Sequence, residues 1–124
     1  NRMYPIGSVF RANGLIVGGS DWAVSTMNPL VAIETAVRRQ DPDDRVSGFL
    51  NKNERIDLTE MLKAYTINAA YLMHQEKYTG SIEVGKVADL IILEKNLYNI
   101  AVDEISEVKV LQTLLEGKTV FRLE

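Results

Sequence analysis

The sequence has no cysteine and a single histidine, His74, among its 124 residues. The absence of cysteine excludes disulfide bonds and every thiolate metal site, but it does not assign a compartment. Most zinc hydrolases use two or three imidazoles, and nearly all nucleophilic triads need one. The chain by itself is therefore poorly equipped for catalysis.

The sequence also lacks an excess of positive charge: 14 Lys and Arg stand against 17 Asp and Glu, for a formal net charge of -3. We therefore expect no nucleic-acid partner. No apolar run approaches the roughly 18 to 20 residues that cross a bilayer, so we expect no membrane partner and a cytoplasmic location. With 46% hydrophobic and 25% charged residues, the composition is that of an ordinary globular domain.

Apolar residues recur at helical spacing in three segments, which are residues 4–13, 28–39 and 57–72. Gly14 ends the first of these predicted helices. Pro29 suits the first position of the second, after Asn28. Asp57, followed by Glu60, forms an aspartate variant of the capping box at the start of the third. The polar residues 40–53 between the second and third helices are predicted to form a surface loop.

Strands are predicted elsewhere. Residues 15–19 form an apolar run too short for a helix, and its lack of alternation indicates a strand buried on both faces, as in a parallel sheet. After residue 79 the chain changes character, and short strands are predicted at residues 81–84, 87–93, 108–115 and 118–123, the last two as a closing hairpin. A domain boundary near residue 79 follows from this change.

Asp21 directly follows the predicted strand of residues 15–19. The carboxyl ends of parallel strands are where α/β proteins place ligands and catalytic groups, so Asp21 is a candidate metal ligand or general base. The alternative is a polar loop residue that caps the following segment. Trp22 could form a wall over a substrate, or its ring could simply be buried under the loop.

The order of these motifs resembles that of the metal-dependent amidohydrolases, in the branch called amidohydrolase family 3. The matching blocks are residues 15–22, 28–30, 64–70, 80–93 and 110–121. The pattern Gly-x-Ile-x-x-Gly-x-x-Ala-Asp-Leu at residues 80–90 is the most diagnostic of them. Together the blocks cover nearly the entire chain.

The resemblance implies an α/β protein and a division into two parts. Residues 1–79 would be the last strand and last helices of a (β/α)₈ barrel, and residues 80–124 the C-terminal strands of a composite β-sandwich. Because the chain begins at Asn1 rather than Met, we expect it to be a segment of a longer protein. Considered by itself, this segment would be classified as α+β. This interpretation requires a strand at residues 15–19 and an Asp21 side chain outside the apolar interior.

The resemblance also implies chemistry. Asp21 would bind a divalent metal, with zinc as the expected ion, and take the proton from the attacking water during hydrolysis of an amide-type C–N bond in a small molecule. The family's histidine ligands are absent from these residues, so we expect the segment alone to bind no metal and to be inactive. Unpaired strand edges favour self-association, and we expect a homo-oligomer. The alternatives are an imidazolonepropionase or dihydroorotase type of amidohydrolase, or a non-catalytic regulatory or interaction module.

The other polar residues are expected to be structural. We predict that His74 lies at a helix end or on the surface. Thr66 and Asn68 are predicted to form packing contacts and hydrogen bonds within their helix. Asp89 is predicted to accept or donate a hydrogen bond where a turn enters a strand. Three arginines are predicted to form solvated ion pairs, and these are Arg38, Arg39 and Arg55.

Overall fold

A computed structural model of the chain describes residues 3–44 and 46–124. Over these residues it contains four α-helices, which are α1 (Ile6–Arg11), α2 (Pro29–Arg38), α3 (Leu58–Ala64) and α4 (Ile67–Leu72). Three strands follow, β1 (Leu90–Leu93), β2 (Val110–Leu115) and β3 (Lys118–Arg122). Short 3₁₀ helices cover Lys52–Glu54, Leu97–Asn99 and Val102–Glu107. The chain is therefore α+β, as predicted for the segment alone.

The helix starts follow from side chains that cap them. The Asn28 side chain accepts a hydrogen bond of 3.0 Å from the Leu30 amide at the start of α2, with Pro29 in the first helical position. The Asp57 carboxylate accepts 2.9 Å from the Glu60 amide at the start of α3. Both predicted helix starts are confirmed.

The three strands form one antiparallel sheet in the order β1-β2-β3. Thr113 of β2 stands between Ile91 of β1 and Phe121 of β3. Glu116 (φ 50°) and Gly117 (φ 76°) connect β2 to β3, and both lie in the left-handed region that a two-residue hairpin turn of type I′ requires. The predicted closing hairpin is confirmed.

The core lies between α2, α3 and the 3₁₀ helix Val102–Glu107. Its buried apolar members are Leu30, Ile33, Ala36, Ile56, Met61, Leu97, Ile105 and Val108. The sheet contributes only through Leu93, which packs against this core. Much of the apolar surface of the strands stays exposed, for example Ile91, Val120 and Phe121.

A buried carboxylate joins α2 to the 3₁₀ helix Val102–Glu107. Glu34 is completely buried, and its Oε2 accepts 2.8 Å from the Ser106 amide, while its Oε1 pairs with Arg38. Arg38 also donates 2.6 Å to Gln40 Oε1. Such a pair is stabilising only because each charged group finds hydrogen-bond partners inside the protein.

The prediction of solvated ion pairs is therefore wrong for two of the three arginines. Arg38 is bound to the buried Glu34, and Arg39 is 7% exposed and donates 3.0 Å to the Leu50 carbonyl. Arg55 is exposed, but it donates 2.8 Å to the Arg38 carbonyl and its guanidinium lies 4.7 Å from the Phe49 ring centroid. The arginines thus fasten the loop of residues 40–53 to the end of α2.

The predicted third helix, residues 57–72, is interrupted. α3 ends at Ala64 and α4 begins at Ile67. The Ala64 carbonyl accepts 3.0 Å from the distant Gly18 amide, and the Thr66 hydroxyl donates 2.7 Å to the Leu62 carbonyl. Thr66 itself leaves helical geometry, with φ -127° and ψ -98°. A long-range backbone bond and a local side-chain bond therefore replace helical bonds at this corner.

Two predicted strands are also wrong. Residues 15–19 form no strand, because no strand among the described residues pairs with them. The Ile16 carbonyl and the Gly18 amide bond to α4 and α3 instead. Residues 81–84 form a loop in which Ile82 and Val84 are fully open to solvent and the Lys86 amide donates 3.2 Å to the Glu83 carbonyl. The predicted strand at residues 87–93 is shorter than expected and covers Leu90–Leu93.

Candidate active site

Asp21 lies at the start of a hydrogen-bonded turn. The Val24 amide donates 2.7 Å to the Asp21 carbonyl, and the Trp22 amide donates 3.3 Å to the Ser20 hydroxyl. The Ser25 hydroxyl closes the turn through a bond to the Ser20 carbonyl. Asp21 has a φ of 49°, a conformation that aspartate tolerates better than most residues.

The Asp21 side chain is exposed, so it is not enclosed in an apolar interior. Within residues 3–44 and 46–124, no hydrogen bond or ion pair engages its carboxylate. The cap of the following helix comes from Asn28 instead. The carboxylate is therefore free to bind a group from outside this part of the chain.

The backbone before Asp21 is held by the corner between α3 and α4. The Gly18 amide donates 3.0 Å to the Ala64 carbonyl, and the Asn68 amide nitrogen donates 2.9 Å to the Ile16 carbonyl. Tyr65 packs against Gly18 so closely that a Cβ at position 18 would lie 2.3 Å from its ring. Burial raises the pKa of the Tyr65 hydroxyl. This corner sets the direction in which the chain reaches Asp21.

Trp22 points away from the protein interior, with 64% of its surface exposed. Val24 and Met27 in the same connection are exposed as well. The alternative in which the ring is buried under the loop is therefore not what the structure shows. Trp22, the residue that follows Asp21 in the chain, therefore presents a large apolar surface to solvent.

His74 and Asp89 have the structural roles predicted for them, whereas Asn68 does not. His74 is exposed just after the end of α4, where its amide donates 3.0 Å to the Tyr71 carbonyl. Asp89 stands before β1 and its Oδ1 accepts 2.8 Å from the Glu116 amide, which is the predicted bond at a strand entry. Asn68 makes a long-range bond rather than the local one that its place on a helix suggested.

The described residues contain no group of three or more His, Cys, Asp or Glu side chains that could hold a metal ion. The carboxylate of Asp21 suits a divalent cation as one oxygen ligand, but a catalytic zinc site needs about three protein ligands. The described residues can therefore supply one ligand of a metal site but not the complete set of ligands.

A cleft of about 480 Å³ lies between α4 and β1. Its walls include Tyr65, Ala70, Met73, Val87 and Leu90. Asp21 and Trp22 do not line it, so this cleft is separate from the candidate site.

Sequence reasoning missed Glu34 and the role of Tyr65. The signal for Glu34 was present: it lies four positions after Leu30 and four before Arg38, on the apolar face of α2. A charged residue on such a face needs a buried partner. No local signal linked Tyr65 to Gly18, since the two lie far apart in the sequence.

Comparison with known proteins identifies the family. The model of the amidohydrolase family matches residues 1–121. The sequence is 36% identical over 118 residues to protein LONG AFTER FAR-RED 3 of Arabidopsis thaliana, an alignment that covers 95% of this chain and 20% of that protein. It is 31% identical over 116 residues to the N-substituted formamide deformylase of Arthrobacter pascens, covering 94% of this chain and 21% of the relative. The chain belongs to the amidohydrolase family.

A solved structure supports the same assignment at the level of fold. The crystal structure of an amidohydrolase from Thermotoga maritima MSB8 superposes on 95% of this chain and 26% of its own, with a TM-score of 0.68 and 24% sequence identity. The chain thus spans about a fifth of the length of the curated relatives just named and about a quarter of this structure. Among the helices of the described residues, none is long and apolar enough to cross a membrane.

The strand that the interpretation required at residues 15–19 is not formed in this structure. Family membership does not depend on that strand, because the family match extends over nearly the whole sequence. The other requirement, an Asp21 side chain outside the apolar interior, is met.

Proposed function

We propose that these 124 residues are part of a longer metal-dependent amidohydrolase in which Asp21 is a metal ligand and the general base. The observation that carries this proposal is the exposed Asp21 carboxylate, which no hydrogen bond or ion pair of residues 3–44 and 46–124 engages and which follows a segment fixed by the corner between α3 and α4. Residues 1–79 would complete a (β/α)₈ barrel and residues 80–124 a composite β-sandwich. In such a barrel, segment 15–19 would gain strand neighbours on both sides.

When bound, a divalent metal, with zinc as the expected ion, supplies an activated water and polarises the substrate carbonyl. Asp21 contributes one oxygen ligand to that metal. It accepts the proton of the attacking water and returns it to the departing nitrogen. Trp22, exposed beside it, provides an apolar wall for a small molecule with an amide-type C–N bond.

The family 3 branch fits better than the imidazolonepropionase branch. The formamide deformylase aligns over 94% of this chain, whereas the imidazolonepropionase of Kosmotoga olearia aligns over 53%. A relative that acts on N-substituted formamides makes such compounds the first substrates to test.

The exposed apolar residues of the sheet support the expected homo-oligomer. Ile91, Val120 and Phe121 are each about half exposed, and β1 and β3 are edge strands. We propose that this exposed sheet makes the 124-residue segment self-associate when it is isolated, and that the complete protein is a cytoplasmic homo-oligomer. Sedimentation of the segment and of the full-length protein, with fractionation of its native cells, would test this. A monomer, or a protein found only in another compartment, would contradict this part of the proposal.

The direct test is Asp21→Asn in the full-length protein, with Asp43→Asn in the surface loop as control. Asp21→Asn should lower kcat for N-substituted formamides or cyclic amides at least 100-fold, the usual range for loss of a general base. It should also lower the bound metal measured by elemental analysis, whereas Asp43→Asn should change neither. Normal metal content and activity in Asp21→Asn would overturn the proposal.

A zinc titration of the 124-residue chain by calorimetry tests the expectation that it holds no metal alone. One carboxylate should give no stoichiometric binding. Tight stoichiometric binding that disappears in Asp21→Ala would show that this expectation is wrong.

A further inference from the structure

A side-chain hydrogen bond joins the corner between α3 and α4 to the segment that precedes Asp21. Asn68, on α4, donates 2.9 Å from its amide nitrogen to the carbonyl of Ile16, which lies 52 positions earlier in the chain. Asn68 is partly buried at this contact. A carbonyl oxygen can accept two hydrogen bonds, so this bond is compatible with a strand bond at the same residue.

We propose that Asn68 is a positioning residue for Asp21, an inference that rests on the proposed role of Asp21. Asn68 fixes the Ile16 carbonyl, and the Gly18 amide is fixed two residues later on the Ala64 carbonyl. Both bonds come from the corner between α3 and α4. Together they set the path of the segment that ends in the Asp21 carboxylate.

The remaining chain transmits this orientation to the carboxylate. Three residues of backbone reach at most about 10 Å, so at that reach a tilt of the segment by about 6 degrees would move the carboxylate by about 1 Å. A shift of that size at a reacting group costs roughly 100-fold in rate. Loss of an orienting bond one step removed from a metal ligand typically costs 10- to 100-fold in metal affinity or activity.

Asn68 differs from the other residues of the corner. The contact between Tyr65 and Gly18 is steric, and the Ala64 bond uses only backbone atoms, so neither can be removed without disturbing packing. The Asn68 bond can be deleted by Asn68→Ala, and Asn68→Gln keeps the donor on a chain one methylene longer. Asn96→Ala is a matched control: the Asn96 side chain accepts a hydrogen bond of 3.0 Å from the Tyr98 amide, and among the described residues no hydrogen bond joins it to residues 15–21.

The experiment compares these three variants and Asp21→Asn in the full-length protein. Asn68→Ala should lower kcat and zinc affinity, the latter measured by chelator competition, each about tenfold. KM should change less than threefold, and Asn68→Gln should recover part of the loss. Backbone amides of residues 17–22 should exchange faster with solvent in metal-free Asn68→Ala. Asn96→Ala should lower the melting temperature while leaving kcat, zinc affinity and this exchange unchanged.

The outcomes that would overturn the inference are distinguishable from failure of the proposed function. If Asn68→Ala only lowers the melting temperature, as Asn96→Ala does, or speeds exchange without loss of kcat and zinc affinity, Asn68 is structural and not positioning. If Asp21→Asn keeps normal activity and metal, the proposed function fails and the inference fails with it. Loss in Asp21→Asn together with normal kcat and zinc affinity in Asn68→Ala removes the inference alone.

Discussion

Tyr65 occupies the space in which any side chain at Gly18 would have to stand. A Cβ at position 18 would lie 2.3 Å from the Cε2 atom of Tyr65, closer than real Cβ atoms approach other atoms. The next residue, Gly19, has nothing within 4 Å of the same position. Position 18 therefore has no room for a side chain, whereas position 19 has room for one.

Gly18→Ala should destabilise the protein by about 1 to 3 kcal/mol, because an overpacked contact forces the backbone or the Tyr65 ring to move. Gly19→Ala should stay within about 1 kcal/mol of the parent, because the added methyl group meets no atom and the unfolded chain has less entropy. Urea denaturation of the two variants measures both values. Equal free energies of unfolding for the two variants would show that the Tyr65 ring moves aside without a measurable loss of stability.

The buried Glu34 makes a second prediction possible. Glu34→Ala removes the partner of Arg38 and leaves the Ser106 amide without its acceptor. Breaking a buried pair in this way costs about 3 to 5 kcal/mol. Glu60→Ala is the control, since the pair of Glu60 with Lys63 (2.7 Å) lies at the surface, with side chains 24% and 49% exposed, and should contribute less than about 1 kcal/mol. Chemical denaturation measures the loss of unfolding free energy in both variants. Losses of similar size in Glu34→Ala and Glu60→Ala would mean that Glu34 is exposed to solvent.

Acid should release α1 from the 3₁₀ helix Lys52–Glu54. The Glu54 carboxylate accepts 2.5 Å from the Ser8 hydroxyl and 2.6 Å from the Ser8 amide, and these bonds, ahead of the charge of Arg11, lower the pKa of Glu54. A lowered pKa means that the stabilisation is complete above the ordinary value of 4.5 and is lost as pH falls through the folded value below it.

Amide exchange of α1 as a function of pH checks this prediction. Parent protein should lose protection in α1 only below the ordinary pKa of a glutamate, whereas Glu54→Gln should show no such step. Ser8→Ala should shift the step to higher pH, because it removes the largest cause of the lowered pKa of Glu54. A step that survives in Glu54→Gln would assign the effect to another carboxyl group.

Local signals predicted the elements that depend on neighbouring residues. Asn28 and Asp57 mark helix starts because a cap bonds to an amide two or three positions later. Gly117 marks the hairpin because only a few residues, glycine first among them, accept the left-handed conformation of its turn. These features need no knowledge of the rest of the fold.

Two of the failures involve distant partners. The helix break at Thr66 depends in part on Gly18, and segment 15–19 is not a strand because no strand of the described residues pairs with it. For the candidate site, the sequence placed Asp21 and Trp22 after this segment but gave no indication that Asn68 holds it. Contacts across some 50 positions leave no periodic trace in one sequence.

The turn between β2 and β3 offers a prediction in which one substitution strengthens the fold. Glu116 adopts φ 50°, which Asn tolerates better, and Asn followed by Gly is the preferred pair in a type I′ turn. Glu116→Asn should therefore raise the free energy of unfolding by a few tenths to about 1 kcal/mol, while the bond from its amide to Asp89 stays in place. Gly117→Ala should lower it by about 1 to 2 kcal/mol, since alanine is strained at φ 76° even though the nearest atom is 3.8 Å away. Thermal and urea unfolding of both variants measure the difference, and a destabilised Glu116→Asn would show that the Glu116 side chain itself supports the hairpin.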